Sequence, residues 1–266
     1  MFGAFGQIKA HYIKICYTFV MKQTLHTSII ILISIFLIGC TYAPNASEIL
    51  QSNSATTISR DYKEITKLLV KYKKILDLRN PKLSDKKLSH EILFDIQNRK
   101  DTIQLLKNNS YKEYLLKAFD KNTKFKSDFL ILGIYKMIFK IYNIKEGHHI
   151  TALGYSADDF TKAYYTLKVL RWKIRNAKDN QGRFIFATWQ LNWQLELNKN
   201  YKNITIKNLK KLPSLKSGKE TLLSHSNFNF EIIMSMMIDR ISNSLKSMGE
   251  EPANLSISAM KAIILL

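Results

Sequence analysis

From residue 59 onward the apolar residues recur three and four apart, the spacing of one face of an α-helix. Tyr62, Ile65, Leu69, Tyr72 and Leu76 predict a first helix capped by Ser59 and ended by Asn80 and Pro81. Leu88, Ile92 and Ile96 predict a second, opened by Ser84 or Ser89. Ser110 with Glu113 reads as a capping box ahead of Tyr114, Leu115 and Phe119. A fourth helix, expected over 128–145 behind Ser127 and stopped by Gly147, is apolar nearly all round, and Lys136 and Lys140 leave only a narrow stripe for water. Such a helix either lies at the centre of a core or rests on a membrane surface. Ser156 with Asp159 opens a long helix through Phe160, Ala163, Leu167, Leu170, Ile174 and Ala177. Asn229 is expected to cap another through Phe230, Ile233, Met237, Ile241 and Leu245, closed by Gly249, and a last helix runs from about Ser256.

One stretch is ambiguous. Residues 179–182 form a turn, and 189–197 then alternate apolar and polar as a strand does. That run has no β-branched residue, however, and Trp189 and Trp193 are also four apart, so helix is the reading preferred. No repeat and no linker composition interrupts 59–266. The expected fold is therefore all-α, a single domain of about seven to eight helices. Residues 41–58, rich in Thr, Ser, Asn and Ala and containing Pro44, read as a tether in front of it.

Upstream of the tether the pattern changes. Residues 29–38 are apolar but for Ser34. A membrane-spanning helix needs about 20 such residues, whereas the hydrophobic stretch of a signal peptide needs roughly 7 to 15. Lys22 and His26 precede the run, and Gly39 and Cys40 follow it. The residues Leu37, Ile38, Gly39 and Cys40 resemble the lipobox of bacterial lipoproteins. That resemblance implies cleavage before Cys40, a diacylglycerol thioether on its sulfur, and a chain held on the periplasmic face of the envelope. Two or three acyl chains at about 0.8 kcal/mol per buried CH₂ make such an anchor effectively permanent. Thr41, where Asp would retain an enteric-type lipoprotein in the inner membrane, implies the outer membrane. Residues 1–20 precede a complete signal peptide, so Met21 is the expected start. Cys16 and Cys40 are the only cysteines, so cleavage would leave no thiol beyond the lipidated one.

Charge adds a constraint on partners. Lys and Arg number 41 against 21 acids, for a net charge of +20, but only seven of those cations are Arg. Arg supplies the fork that phosphates and guanine edges favour, so a Lys-dominated excess argues against nucleic acid as the partner. Lysines cluster between 199 and 219, where there are seven and no acid before Glu220. A basic loop is the plain interpretation; contact of Lys207, Lys210 and Lys211 with anionic lipid is the functional one.

No coherent catalytic set emerges. His148 and His149 lie near Glu146, Asp158 and Asp159, yet no HExxH-type spacing accompanies them, and no metal or cofactor is expected. His149, Ile150 and Thr151 match one element of the two-histidine phosphoesterases, but His225, Ser226 and Asn227 fail to supply the second. Ser217, Gly218 and Lys219 lack both ends of a P-loop. The sharper cluster is aromatic and cationic. Arg171, Trp172 and Arg175 share one helix, and Arg183, Trp189 and Trp193 follow the turn, so two antiparallel helices would bring them together as a groove for a glycan or peptide. The expectation is a lipid-anchored binding protein with envelope protein partners. The alternative is a helical envelope hydrolase using Glu250, Glu251 or the two His residues beside Trp172 or Trp189.

Overall fold

A computed structural model describes residues 52–189, 196 and 205–264. All belong to one compact unit, Gln51–Leu266, and among the described residues there is helix and no strand. Nine α-helices follow in order: α1 (Asn53–Arg79), α2 (Lys86–Asn98), α3 (Tyr111–Phe119), α4 (Lys126–Ile141), α5 (Ala157–Asn176), the single turns α6 (Ile206–Leu209) and α7 (Pro213–Lys216), α8 (Asn229–Ser247) and α9 (Ile257–Ile264). The all-α expectation holds.

At 27 residues α1 is about 40 Å long, at roughly 1.5 Å per residue. Its buried stripe of Ala55, Ile58, Tyr62, Ile65, Leu69, Tyr72 and Leu76 packs chiefly on α8, and on α2 and α4. Helix α4 lies against α1, α2, α3 and α5, and every residue from Leu130 to Ile138 is buried. Of the two explanations for its all-round apolarity, the core is the one realised. Lys136 does not reach water as expected; its ammonium is buried against Asp101 and lies 5.2 Å from the Tyr114 ring centroid, and Lys140 alone of the pair is exposed.

Several boundaries differ for local reasons. Helix α1 starts six residues before Ser59, because Ser52 Oγ accepts from the Ala55 N–H and Ala55 and Ile58 extend the buried stripe. The part of the expected tether from residue 53 is thus helix. Asp85, rather than Ser84 or Ser89, caps α2 by accepting from Leu88 N–H. Ser110 precedes α3, but the reciprocal box is unmade because Glu113 accepts from the Asn108 amide instead. Helix α4 ends at Ile141, short of 145, where Asn143 turns left-handed at φ 51°. Phe228, not Asn229, flanks the start of α8. Ser156 caps α5 as expected, accepting from the Asp159 N–H, and Ser256, at the expected start of the last helix, accepts from the Ala259 N–H.

Two close approaches fix the packing. On α4, a Cβ added to Gly133 would lie 2.6 Å from Leu115 Cδ2 and 3.0 Å from the Leu115 backbone nitrogen, so α3 can seat on α4 only over a glycine. On α1, the buried Asp61 carboxylate accepts from Asn243 Nδ2 (2.7 Å) and Ser244 Oγ (3.2 Å) of α8, and Arg240 Nη1 stands 3.5 Å away. Tyr142 hydroxyl joins Ser244 Oγ at 3.0 Å, tying the end of α4 to the same point.

Substituting Gly133→Ala should therefore destabilise the fold by about 1–3 kcal/mol, read as a lower urea midpoint at unchanged slope. A second expectation concerns pH. Burial raises the Asp61 carboxyl above its ordinary 3.8, against the pull of Asn243, Ser244 and Arg240. A raised carboxyl binds its proton more tightly when folded, so its contribution to stability declines as pH rises from 3.8 through the raised value. Urea unfolding across that window should show Asp61→Asn gaining on the wild type as pH increases; a difference independent of pH would refute the assignment.

Candidate functional site

The cluster expected from the sequence is only partly assembled, and its cations are occupied. Arg171 Nη1 donates to Ser235 Oγ at 2.8 Å and its Nε lies 3.8 Å from Glu231, while Arg175 Nη1 sits 3.3 Å from the same carboxylate. The two arginines thus stitch α5 to α8. Arg175 also covers the Trp189 ring at 4.9 Å from its centroid. Trp189 is buried rather than presented, packed edge-on to Phe184 at 5.2 Å and joined with Leu212, Leu209 and Leu215 in a small satellite core. Arg183 turns back to Asp179, at 2.8 Å, within the 179–182 turn. Residues 184–189 are not helical; a bridge between Lys178 and Phe184 leads into a segment held at Ala187 and Trp189 by Asn80 and Arg79. The rest of the expected helix over 189–197, including Trp193, lies outside the described residues apart from Glu196.

Trp172 stands apart from that packing, 42% exposed, with Lys261 Nζ of α9 4.0 Å above its ring. Lys207, Lys210 and Lys211 are exposed on and after α6. Glu250 and Glu251 are exposed beyond α8, with Glu251 3.6 Å from Lys246. The histidines point to different rings: His148 lies edge-on to Tyr62 and its Nδ1 is 3.3 Å from Tyr155 hydroxyl, whereas His149 stacks edge-on to Tyr155. Among the described residues no group of three or more His, Cys, Asp or Glu is placed to hold a metal ion.

The built polar constellation is one that periodicity did not reveal. Lys73 lies on the buried stripe of α1 with its side chain wholly buried. Its Nζ contacts both Asp77 oxygens at 2.7 Å, Asp128 Oδ1 at 2.5 Å and Ser84 Oγ at 3.3 Å. Asp128, in the first turn of α4, also accepts from Ser84 Oγ and from the Asp85 N–H. Ser89 of α2 donates to Asp77. Burial raises the Asp128 carboxyl, and Lys73, the Asp85 N–H and Ser84 pull it back. Asp77, Ser84 and Ser89 line the wall of a cleft of about 550 Å³, with Leu78 and Leu93 as its apolar side and Lys74 and Lys86 at its rim. That volume suits a small ligand.

Chemically the arrangement resembles a Ser–Lys pair, but it lacks the requirement of one. An ammonium that donates to two carboxylates and a hydroxyl keeps no lone pair to accept a serine proton. The network instead locks α1, α2 and α4 together and gives the cleft a rigid polar floor. Its partners are 4, 11 and 55 residues from Lys73 in the chain, so only the nearest, Asp77 four residues on, is visible as a helical pair.

No family model, no curated protein and no solved structure matches the chain.

Lys73→Met should cost about 3–5 kcal/mol, because it strands Asp128 in the core, and Lys73→Met with Asp128→Asn should recover at least about 1 kcal/mol of that loss. Chemical unfolding of these two variants and of Asp128→Asn alone checks this; an additive double variant would show that the pair is not coupled.

Proposed function

We propose that the chain is a lipid-anchored, periplasm-facing helical protein that acts by binding, as an accessory or scaffold component of an envelope or secretion assembly. The lipobox residues Leu37, Ile38, Gly39 and Cys40, behind the apolar run 29–38, are the observation that carries this reading. Several further features are consistent with it. Among the described residues no helix is long and apolar enough to cross a membrane. The cap of α1 is Ser52, so in sequence residues 41–51 separate Cys40 from that cap. Exposed Lys207, Lys210 and Lys211 offer cations to anionic headgroups once the anchor holds the domain near a surface. Binding is favoured over catalysis because the buried polar groups of the α1–α2 cleft bond to one another, and because Glu251, His148, Trp172 and Trp189 each have separate neighbours.

Metabolic palmitate labelling tests the anchor. The wild type should incorporate label and be processed, and Cys40→Ala should lose the label and accumulate as the longer, uncleaved form. Label that persists in the variant, or never enters the wild type, removes the anchor. Affinity capture from crosslinked envelopes tests the second half of the reading: a reproducible set of envelope proteins should accompany the wild type and be lost with Cys40→Ala. Recovery of the chain alone would argue against an assembly role.

A further inference from the structure

The seven arginines of the chain divide into two groups by what surrounds them. Five have acceptors within the protein: Arg79 donates to the Trp189 carbonyl, Arg171 and Arg175 meet Glu231, Arg183 meets Asp179 and Arg240 meets Asp61. Arg60 and Arg99 have no carboxylate partner among the described residues, and both line one cleft of about 500 Å³ between the first half of α1 and the end of α2. Lys63 and Lys67 follow Arg60 at i+3 and i+7, on the same face of α1, and line it too. Four cations therefore line the cleft against one acid, Glu64, which Lys67 engages at 2.8 Å. Val70 and Ile96 add apolar wall.

Arg99 carries a second signal. It closes α2 in the left-handed region, φ 55°, with its N–H donating to the Asp95 carbonyl. Glycine takes that conformation without strain and is the usual occupant of such a position. The backbone thus holds an arginine where its conformation favours glycine, and the guanidinium lies over the Tyr62 ring, 6.0 Å from its centroid, at the cleft. Convergent cations with two free guanidinium forks match the several oxygens of a phosphate better than a single carboxylate does.

We propose that this cleft binds a phosphate-bearing organic ligand, with Arg60 and Arg99 gripping the phosphate, Lys63 and Lys67 adding charge, and Val70 and Ile96 packing against its body. The phosphate belongs either to a lipid headgroup or to a free phosphate ester. The site is independent of whether Cys40 is acylated.

Calorimetric titration of the full chain in nonionic micelles tests it. The probes are glucose 6-phosphate, and micelles doped with phosphatidylglycerol against micelles doped with diacylglycerol. Binding of the sugar phosphate assigns a free ester; binding of phosphatidylglycerol without the sugar phosphate assigns the headgroup. In either case Arg60→Gln with Arg99→Gly should weaken binding at least about tenfold, while Lys140→Gln with Lys145→Gln, an equal loss of exposed charge outside the cleft, should not. Because glycine suits the cap of α2, the helical signal and melting temperature of the first variant should stay at or above those of the wild type. Absence of binding by every probe up to about 10 mM, or a smaller loss in the arginine variant, or an equal loss in the lysine variant, overturns the proposal.

Discussion

An ammonium group taken out of water has to be surrounded by acceptors or it is not tolerated, and the junction of α1, α2 and α4 is organised around that demand. Lys73 sits in the same buried stripe as Leu69 and Leu76, where an aliphatic residue would pack without any partner. Its presence requires Asp128 at the first turn of α4, Asp77 one turn further along α1, and Ser84 in the connection to α2. Asp128 in turn holds the Asp85 N–H, and Asp85 caps α2. A chain of hydrogen bonds therefore sets the entry of α2 relative to α1 and fixes where both clefts beside that helix pair open. Buried pairs of this kind add little net stability over an apolar equivalent; what they specify is which packing is allowed.

The same logic recurs at the other end of α1. Asp61 faces α8, and its carboxylate is met by Asn243, Ser244 and, at a longer distance, Arg240. Tyr142 enters through Ser244, and Tyr135 of α4 donates to the carbonyls of Asp95 and Lys100 at the end of α2. Asp95 then accepts from Thr102 and from the Ile103 N–H, drawing the following loop onto the core. These buried polar groups position connections, while the aliphatic stripes supply most of the burial.

That division explains what the sequence makes legible. Helical periodicity reports burial, and it located each helix longer than one turn after residue 59, because Tyr62, Ile92, Leu115, Leu167 and Ile241 recur at the right spacing. It does not report who meets whom. Lys73 and Asp128 are 55 residues apart and Asp61 and Ser244 are 183 apart, so neither contact has a local signature. Lys136 reads as a solvated residue until Asp101 and Tyr114 are known to lie against it. Capping motifs fail for a related reason: Glu113 has a competing donor in Asn108, and Ser59 falls inside a stripe that Ile58 and Ala55 carry further back. The aromatic and cationic cluster was found in part, since Arg175 and Trp189 do meet, but a helical wheel could not show that Glu231 of α8 would take up both arginines of α5.

The distribution of cations gives the positive charge a physical reading that composition alone withholds. Lysine supplies most of the excess, and the buried lysines find local acceptors: Lys73 and Lys136 meet aspartates, and Lys126 donates to the carbonyls of Asp120, Lys121 and Thr123. Lys207, Lys210 and Lys211 remain in water, where their contribution to any one contact is small and screened by salt. Arginine is scarce and used differently. Five of the seven bind groups of the protein itself, and the remaining two converge on one cleft, one of them from a backbone conformation that favours glycine. A general cationic surface would leave arginines scattered among the lysines. Pairing most of them with groups of the protein itself and directing the rest to a single concavity is the arrangement expected when charge is placed to hold an anion.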